Sequence, residues 1–396
     1  MRELNYVSTG KLRWLERPDP HLQAATDVLV RPFVVSRCDG DTLPIHTRAV
    51  SQGMRAGLKV GLIDPSVGRI CGPVPFQGPF AIGHEAIAEV VVVGSEVSNL
   101  RVGDQVVVPW SVSCGTCRAC LRGLTSKCTT MRKEPSAPDG ERTLAAFGFG
   151  PACGPFGGMV SDLLRIPNAD HMLVKLPAGL DPLRVAAASD NLSDAWRTVV
   201  PQLRAHPGAR VLVLSGGGRS IALYAAGLAV AHGASVVDYL DHSRTRIGIA
   251  EGLGAQGHLS QSSGSRLARG GYPKPDPAGY DVVVEASSTK AGLRHAIRST
   301  APGGVCTAIG YYVGTTSGVP LMHMYATDIR LHLGVSHPRA VLPELLTWMG
   351  THDLATEQVT TVLADFDDAP TAYAARTTKL VLHRDPLHQL APEGAA

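Results

Sequence analysis

Arg210-Val211-Leu212-Val213-Leu214 runs into Ser215-Gly216-Gly217-Gly218-Arg219-Ser220, and an Ala-rich apolar stretch from Ile221 to His232 follows. The first five residues read as a strand, the glycines as a turn, and the remainder as a helix that Gly233-Ala234 ends. Ser235-Val236-Val237-Asp238-Tyr239-Leu240-Asp241 is then a second strand. Strand, turn, helix and strand in that order predict a parallel α/β sheet. Such a turn aims backbone N–H groups at an anion, and a dinucleotide pyrophosphate is the ligand it takes in a doubly wound fold.

The glycine spacing is irregular. Counted from Gly217, the other two glycine positions of G-x-G-x-x-G hold Arg219 and Ala222; counted from Gly216, the second is Gly218 and the third is Ile221. Asp241 restores the case, because it ends the second strand 24 residues past Gly217, close to the interval of about 20 expected for a carboxylate that accepts from ribose hydroxyls. A carboxylate there repels a 2′-phosphate, which favours NAD over NADP, while Arg244 and Arg246 close behind weigh the other way. Arg219 can add a charge-assisted contact to the pyrophosphate. The candidate cofactor set is therefore Gly216, Gly217, Gly218, Arg219, Ser220, Ile221, Asp241 and Arg246.

Outward from this unit the chain divides. From Asp181 onward, strands, turns and helices alternate: a helix over Arg244–Gly252, strands at Asp281–Glu285 and Val305–Gly310, an amphipathic helix at Leu342–Gly350 and a closing strand at Lys379–Leu382. Before it lie short β-prone runs, among them Val28–Val35, Ala86–Val93 and Val102–Pro109. Between them, a Gly/Pro-rich tract from about His46 to Phe80 carries little periodicity. At 396 residues with 44% hydrophobic and 18% charged content, the chain is long enough for two globular domains. A net charge of +3 argues against nucleic acid or an anionic membrane as partner. Met1-Arg2-Glu3-Leu4-Asn5 opens no signal-peptide pattern, and no apolar run reaches a membrane span of about 18 residues. Cytoplasmic localisation is the expectation.

Half of the eight cysteines fall in one short loop: Cys114, Cys117, Cys120 and Cys128, at intervals of three, three and eight. Zinc takes four thiolates in a tetrahedron, and a closed all-cysteine set leaves no position for substrate. Disulfide pairing within Cys-x-x-Cys-x-x-Cys is cramped. This loop, within residues 110–130, is read as a structural zinc site, a type worth on the order of 10 kcal/mol in zinc-finger peptides. Elsewhere, Cys38-Asp39-Gly40-Asp41 ends one strand and Gly83-His84-Glu85 opens another. A thiol beside carboxylates and an imidazole beside a carboxylate are candidate ligands for a catalytic zinc, which needs three protein donors and one open position.

On these residues, together with Ala188-Ser189-Asp190, the Gly216–Ala222 turn, Asp241, and Asp281–Glu285 ahead of Gly303-Gly304, the chain resembles the zinc-dependent medium-chain dehydrogenase/reductase family, alcohol dehydrogenase type, from about residue 25 to 385. The resemblance implies a β-rich GroES-like catalytic domain (1–190), a doubly wound Rossmann coenzyme domain (191–335) and a C-terminal return to the catalytic domain (336–396). It also implies two zinc ions per chain, the catalytic one held by Cys38, His84 and Asp190, with Asp41 behind the ligands and Glu85 beside the metal. Lys379 falls where a basic residue approaches the cofactor pyrophosphate. The implied reaction is hydride transfer between NAD and a secondary or polyol-like alcohol, or its carbonyl, in a homodimer or homotetramer.

Two positions depart from that pattern. Gly40 stands where the family has Ser or Thr beginning a proton relay; Thr42, His46 or water is left to supply it, or the reaction differs. The alternatives are a carbonyl or imine reductase, an epimerase- or lyase-like enzyme that uses NAD transiently, or a binding protein without catalysis. The interval from Cys38 to His84 is also long, and its apolar residues, Met54, Leu58, Val60, Ile63, Pro73, Pro75, Phe76 and Phe80, are expected to pack over the cleft, to meet another subunit or to form a surface excursion.

Overall fold

The computed structural model describes residues 1–137, 139–260 and 272–387. Arg210–Leu214 lies at the centre of a six-stranded sheet. Across that sheet the strands run Gln256–Leu259, Val236–Asp241, Arg210–Leu214, Tyr280–Glu285, Thr300–Ala308 and Arg330–Leu333, all parallel. In chain order that is third, second, first, fourth, fifth, sixth, the doubly wound order with its switch point at the first strand.

The unbroken apolar run of Arg210–Leu214 follows from burial on both faces. Val211 and Val213 pack with Val282, Val284 and the helices Asn191–Ala205 and Arg219–Ala231, while Leu212 and Leu214 pack with Val283, Leu293 and Ile297 on the other side. The helix Pro338–Met349, which starts four residues earlier than the sequence pattern suggests, buries Leu342, Leu345 and Leu346 in the first of these clusters.

The second large sheet has seven strands and is mostly antiparallel. Its register explains where the site lies. Val28–Ser36 pairs with Glu85–Val93 so that Ser36 faces Glu85, which puts Cys38 and His84 side by side just past the paired ends. Leu380–His383 pairs with the other edge of Val28–Ser36, Val381 opposite Ser36, so Lys379 arrives at the same corner. The C-terminal return is made by this strand and its parallel neighbour Val362–Asp365. Asp190 comes from the start of the Asn191–Ala205 helix, and Ser189 ties that start to the sheet by accepting from the Ala86 amide and donating to the Ala86 carbonyl.

The 46–80 tract is not the irregular loop its composition suggests. It forms the helices Val50–Lys59 and Pro65–Cys71. Val50, Met54, Val67, Cys71 and Phe76 enter the catalytic-domain core, whereas Val60 and Leu62 are exposed. Gly53 and Gly57 lower the intrinsic helix preference of the first helix, and its buried Val50/Met54 pair supplies what propensity does not. The tract also crosses to the other domain: the Asp64 amide donates to the Val313 carbonyl, and Ile63 bridges Gly314.

Candidate active site

Cys38, His84 and Asp190 are all buried, and their donor atoms lie within 4.8 Å of one another. The Cys38 thiol donates to Asp190 Oδ2 at 3.1 Å, and His84 Nε2 stands 3.5 Å from the same oxygen. His84 Nε2 is buried and has no hydrogen-bond partner. Zinc bonds of about 2.0–2.3 Å to S, N and O put tetrahedral donors at such separations, so the three residues fit a zinc ion, and the orphaned nitrogen is the atom that would bind it.

Electrostatics point the same way. Burial pushes the Cys38 thiol well up, and the neighbouring carboxylates of Asp190, Glu85 and Asp41 push it further. Burial alone would lower His84, but the charges of Asp41 and Asp190 override it and bring it up to about 9. Burial would raise Asp190, yet the close approach and charge of His84 hold it below the ordinary value. A divalent cation held by these three residues would displace protons from the thiol and the imidazole.

Around the triad stands a second layer of side chains. His84 Nδ1 faces the Gly148 carbonyl at 3.4 Å and Asp41 Oδ1 at 3.6 Å; Asp41 in turn accepts from the Tyr373 hydroxyl at 2.7 Å. Phe149 lies against the His84 ring, centroids 4.9 Å apart, and stacks on Trp110. Glu85, expected beside the metal, is fully buried. It accepts from Ser36 Oγ, the Asn191 amide and Lys379 Nζ. Lys379 is likewise not at the coenzyme turn's surface: it is fully buried, paired with Glu85, and donates to the Arg37 carbonyl and Asn191 Oδ1. Asn191 also donates to Cys38 Sγ and Asp190 Oδ2, a role that no pattern in the sequence marked.

The relay candidates are bonded to backbone carbonyls outside the triad. The Thr42 hydroxyl donates to the Asp39 carbonyl, and His46 Nε2 donates to the Ala374 carbonyl. Space does not require the glycine at position 40, since a Cβ there would meet only Cys38 Sγ, at 3.6 Å.

At the dinucleotide turn, Ser215 directly follows the strand and Arg219 starts the helix, so the fingerprint is best read as Ser215-x-Gly217-x-x-Ser220. Neither register considered from the sequence included Ser215. A Cβ on Gly216 or Gly217 would strike Ser287 or Ser288 below 3.0 Å, so these glycines also permit close packing of the neighbouring strand's exit. The amides of Gly217 and Gly218 donate to the carbonyls of Ser287 and Ala286. Those of Ser220 and Ile221 donate to Asp39 Oδ2, at 2.8 and 3.4 Å, and the Ser220 hydroxyl does so at 2.9 Å. A buried carboxylate of the catalytic domain therefore caps the helix start, next to where a pyrophosphate is expected. Arg219 Nη1 makes a long contact to the Thr377 carbonyl.

Asp241 is at the expected strand end, but its oxygens are filled. It accepts two bonds from Arg246, at 2.6 and 2.7 Å, and one each from the Tyr239 hydroxyl and the Ser243 amide. Burial would raise Asp241, and Arg246 holds it below the ordinary range. The negative charge invoked against a 2′-phosphate is paired.

The cysteine quartet is compact and partly exposed. Its four sulfurs lie within 4.8 Å of one another, with Cys117 Sγ 3.5 Å from Cys120 Sγ and 3.9 Å from Cys128 Sγ. A zinc–sulfur bond of about 2.3 Å places tetrahedral sulfurs about 3.8 Å apart. Burial would raise Cys114 and Cys117, but hydroxyl and N–H donors from the surrounding turn lower them to about 7 and about 5. Thiolate is the form a metal binds. The four residues fit a closed zinc site.

A family model of the alcohol dehydrogenase GroES-like domain matches residues 24–178. A "probable zinc-binding alcohol dehydrogenase" of Mycobacterium tuberculosis is 28% identical over 376 residues, spanning 94% of this chain and 85% of that protein. D-xylulose reductase A of Aspergillus oryzae is 23% identical over 377 residues, with 94% of this chain and 93% of that protein covered. Among solved structures, an alcohol dehydrogenase from Thermus sp. ATN1 superposes with a TM-score of 0.76 at 26% identity, over 97% of this chain and 99% of the other.

Proposed function

We propose that the chain is a member of the zinc-dependent medium-chain dehydrogenase/reductase family, alcohol dehydrogenase type, and that it oxidises a secondary or polyol-like alcohol, or reduces the matching carbonyl, with a nicotinamide dinucleotide. The observation that carries this reading is the buried Cys38–His84–Asp190 cluster with its orphaned His84 Nε2. Three donors on one side leave a fourth position for a small molecule.

A bound zinc supplies Lewis acidity, which makes an alcohol's proton acidic near neutral pH, and a bound dinucleotide accepts or returns the hydride. This chain's residues do the rest. With a zinc ion bound, the Cys38 thiolate and the Asp190 carboxylate would balance its two charges, and His84 would serve as the neutral third donor. Asp41 orients the imidazole from behind, itself held by Tyr373. Phe149 and Trp110 keep water off the His84 side. The Glu85–Lys379–Asn191 group ties the catalytic sheet to the helix that carries Asp190. With no hydroxyl at Gly40, proton exit runs through water.

NAD remains the proposed cofactor because Asp241 closes the second strand. Its pairing with Arg246 makes NADP the comparison to run. The test is a panel of secondary alcohols and polyols with each cofactor. Net formation of reduced cofactor at much higher kcat/KM with NAD supports the proposal, and no turnover with either overturns it. Gly40 favours one second reading, a non-redox reaction with transient hydride transfer; turnover of a sugar or polyol without net reduced cofactor would mark it.

A further inference from the structure

Ser336 lies outside every motif in the sequence, yet it touches the catalytic cluster. It is buried, and its hydroxyl lies 3.1 Å from Asp190 Oδ1. The same oxygen is 2.9 Å from Trp110 Nε1, which can only donate. The Ser336 proton is therefore committed to Asp190. With Oδ1 held in this way, Oδ2 is the oxygen turned to Cys38, Asn191 and His84.

Ser336 is in turn gripped by the cysteine loop. Thr125–Lys127 forms a single helical turn between Cys120 and Cys128. From it, buried Ser126 donates through its hydroxyl to the Ser336 carbonyl at 2.8 Å, and through its amide to His337 Nδ1 at 3.3 Å. Trp110 adds a second tie, since its amide donates to the Ser189 carbonyl, one residue before Asp190. A continuous path of hydrogen bonds thus runs from the quartet loop through Ser126 and Ser336 to the carboxylate of the other cluster.

We propose that Ser336 is a positioning residue for the catalytic metal, and that the cysteine loop serves as its brace. This rests on the reading of Cys38, His84 and Asp190 as zinc ligands. A zinc-binding carboxylate works best when its second oxygen is fixed by a donor, and losing such a partner typically weakens metal binding 10- to 100-fold. The quartet zinc then has a use beyond holding its own loop: it keeps Ser126, and through it Ser336, at the distance that aims Asp190.

The experiment is zinc release from the full-length, zinc-loaded protein to a chromogenic chelator, in wild type, Ser336→Ala and Ser126→Ala. In Ser336→Ala, one zinc per chain should bind about 10- to 100-fold more weakly, while the other keeps its wild-type affinity and reports an intact fold. Ser126→Ala should shift the same zinc in the same direction by less. Cobalt in the weaker site gives a second readout, because its thiolate and d–d bands should change in Ser336→Ala. Two zinc ions in wild type with unchanged affinity and unchanged cobalt bands in Ser336→Ala overturn the proposal alone. A single zinc in wild type overturns the catalytic-metal reading and the proposal with it.

Discussion

The cysteine quartet and the Cys38–His84–Asp190 triad are both candidate zinc sites, built in opposite ways. The quartet draws four like ligands from one loop, from Cys114 to Cys128, two of them partly exposed. Amides and hydroxyls of that loop lower Cys114 and Cys117, while burial raises Cys120 and Cys128. The triad draws three unlike ligands from three parts of the chain, all buried. A site made locally is suited to holding a fold. A site made by the fold can hold unlike donors with one side open, which is what chemistry needs.

If that contrast is right, the two sites fail differently. The largest effect is expected from Cys117→Ser. A structural zinc of this type contributes on the order of 10 kcal/mol, comparable to the roughly 5–15 kcal/mol that holds a domain folded. The variant should be recovered unfolded or aggregated, as circular dichroism and size-exclusion chromatography would show; a cooperative melt at the wild-type temperature would erase the contrast. Asp190→Ala should instead stay folded and lose alcohol turnover. Lewis-acid assistance worth several kcal/mol corresponds to a fall in kcat/KM of about a thousandfold or more.

Acid should act on the brace side of the molecule. Burial, helped by the positive neighbours Arg339 and Arg197 respectively, lowers His171 and His337 to about 4, below the ordinary 6.5. Between those values the unfolded chain binds protons that the folded chain does not, so stability is full above about 6.5 and falls as pH drops toward 4. His171 lies against Ser113, beside Cys114, and His337 against Ser126. The melting temperature of His337→Gln should fall less between pH 7 and 5 than that of wild type; an equal fall would remove the histidine from the account. The smallest effect concerns the cofactor turn. Asp39→Asn keeps a helix-capping acceptor and removes a charge beside the expected pyrophosphate, so NAD should bind several-fold tighter by fluorescence titration, about 1 kcal/mol. Weaker binding would mean that Asp39 serves the site rather than opposing it.

The same contrast explains what the sequence reveals. The quartet and the βαβ unit are local, and spacing alone exposes them. Cys38 and His84 are marked by short motifs, but their adjacency depends on the pairing of Ser36 with Glu85, which no single stretch specifies. Asn191, Trp110, Tyr373 and Ser336 carry no motif at all; they matter through contacts made across long intervals of the chain. Asp241 was legible as a position and not as a state, because the bond to Arg246 is a matter of side-chain geometry. The two helices between residues 50 and 71 were hidden by their glycines and appear once Val50, Met54 and Val67 find a core to enter.

Zinc content per chain, measured by elemental mass spectrometry on wild type and Asp190→Ala side by side, separates a catalytic zinc at Cys38, His84 and Asp190 from a single zinc at the cysteine quartet. Two zinc ions are expected in wild type and one in the folded, inactive variant. One zinc in wild type, or two retained by Asp190→Ala, would contradict the catalytic zinc.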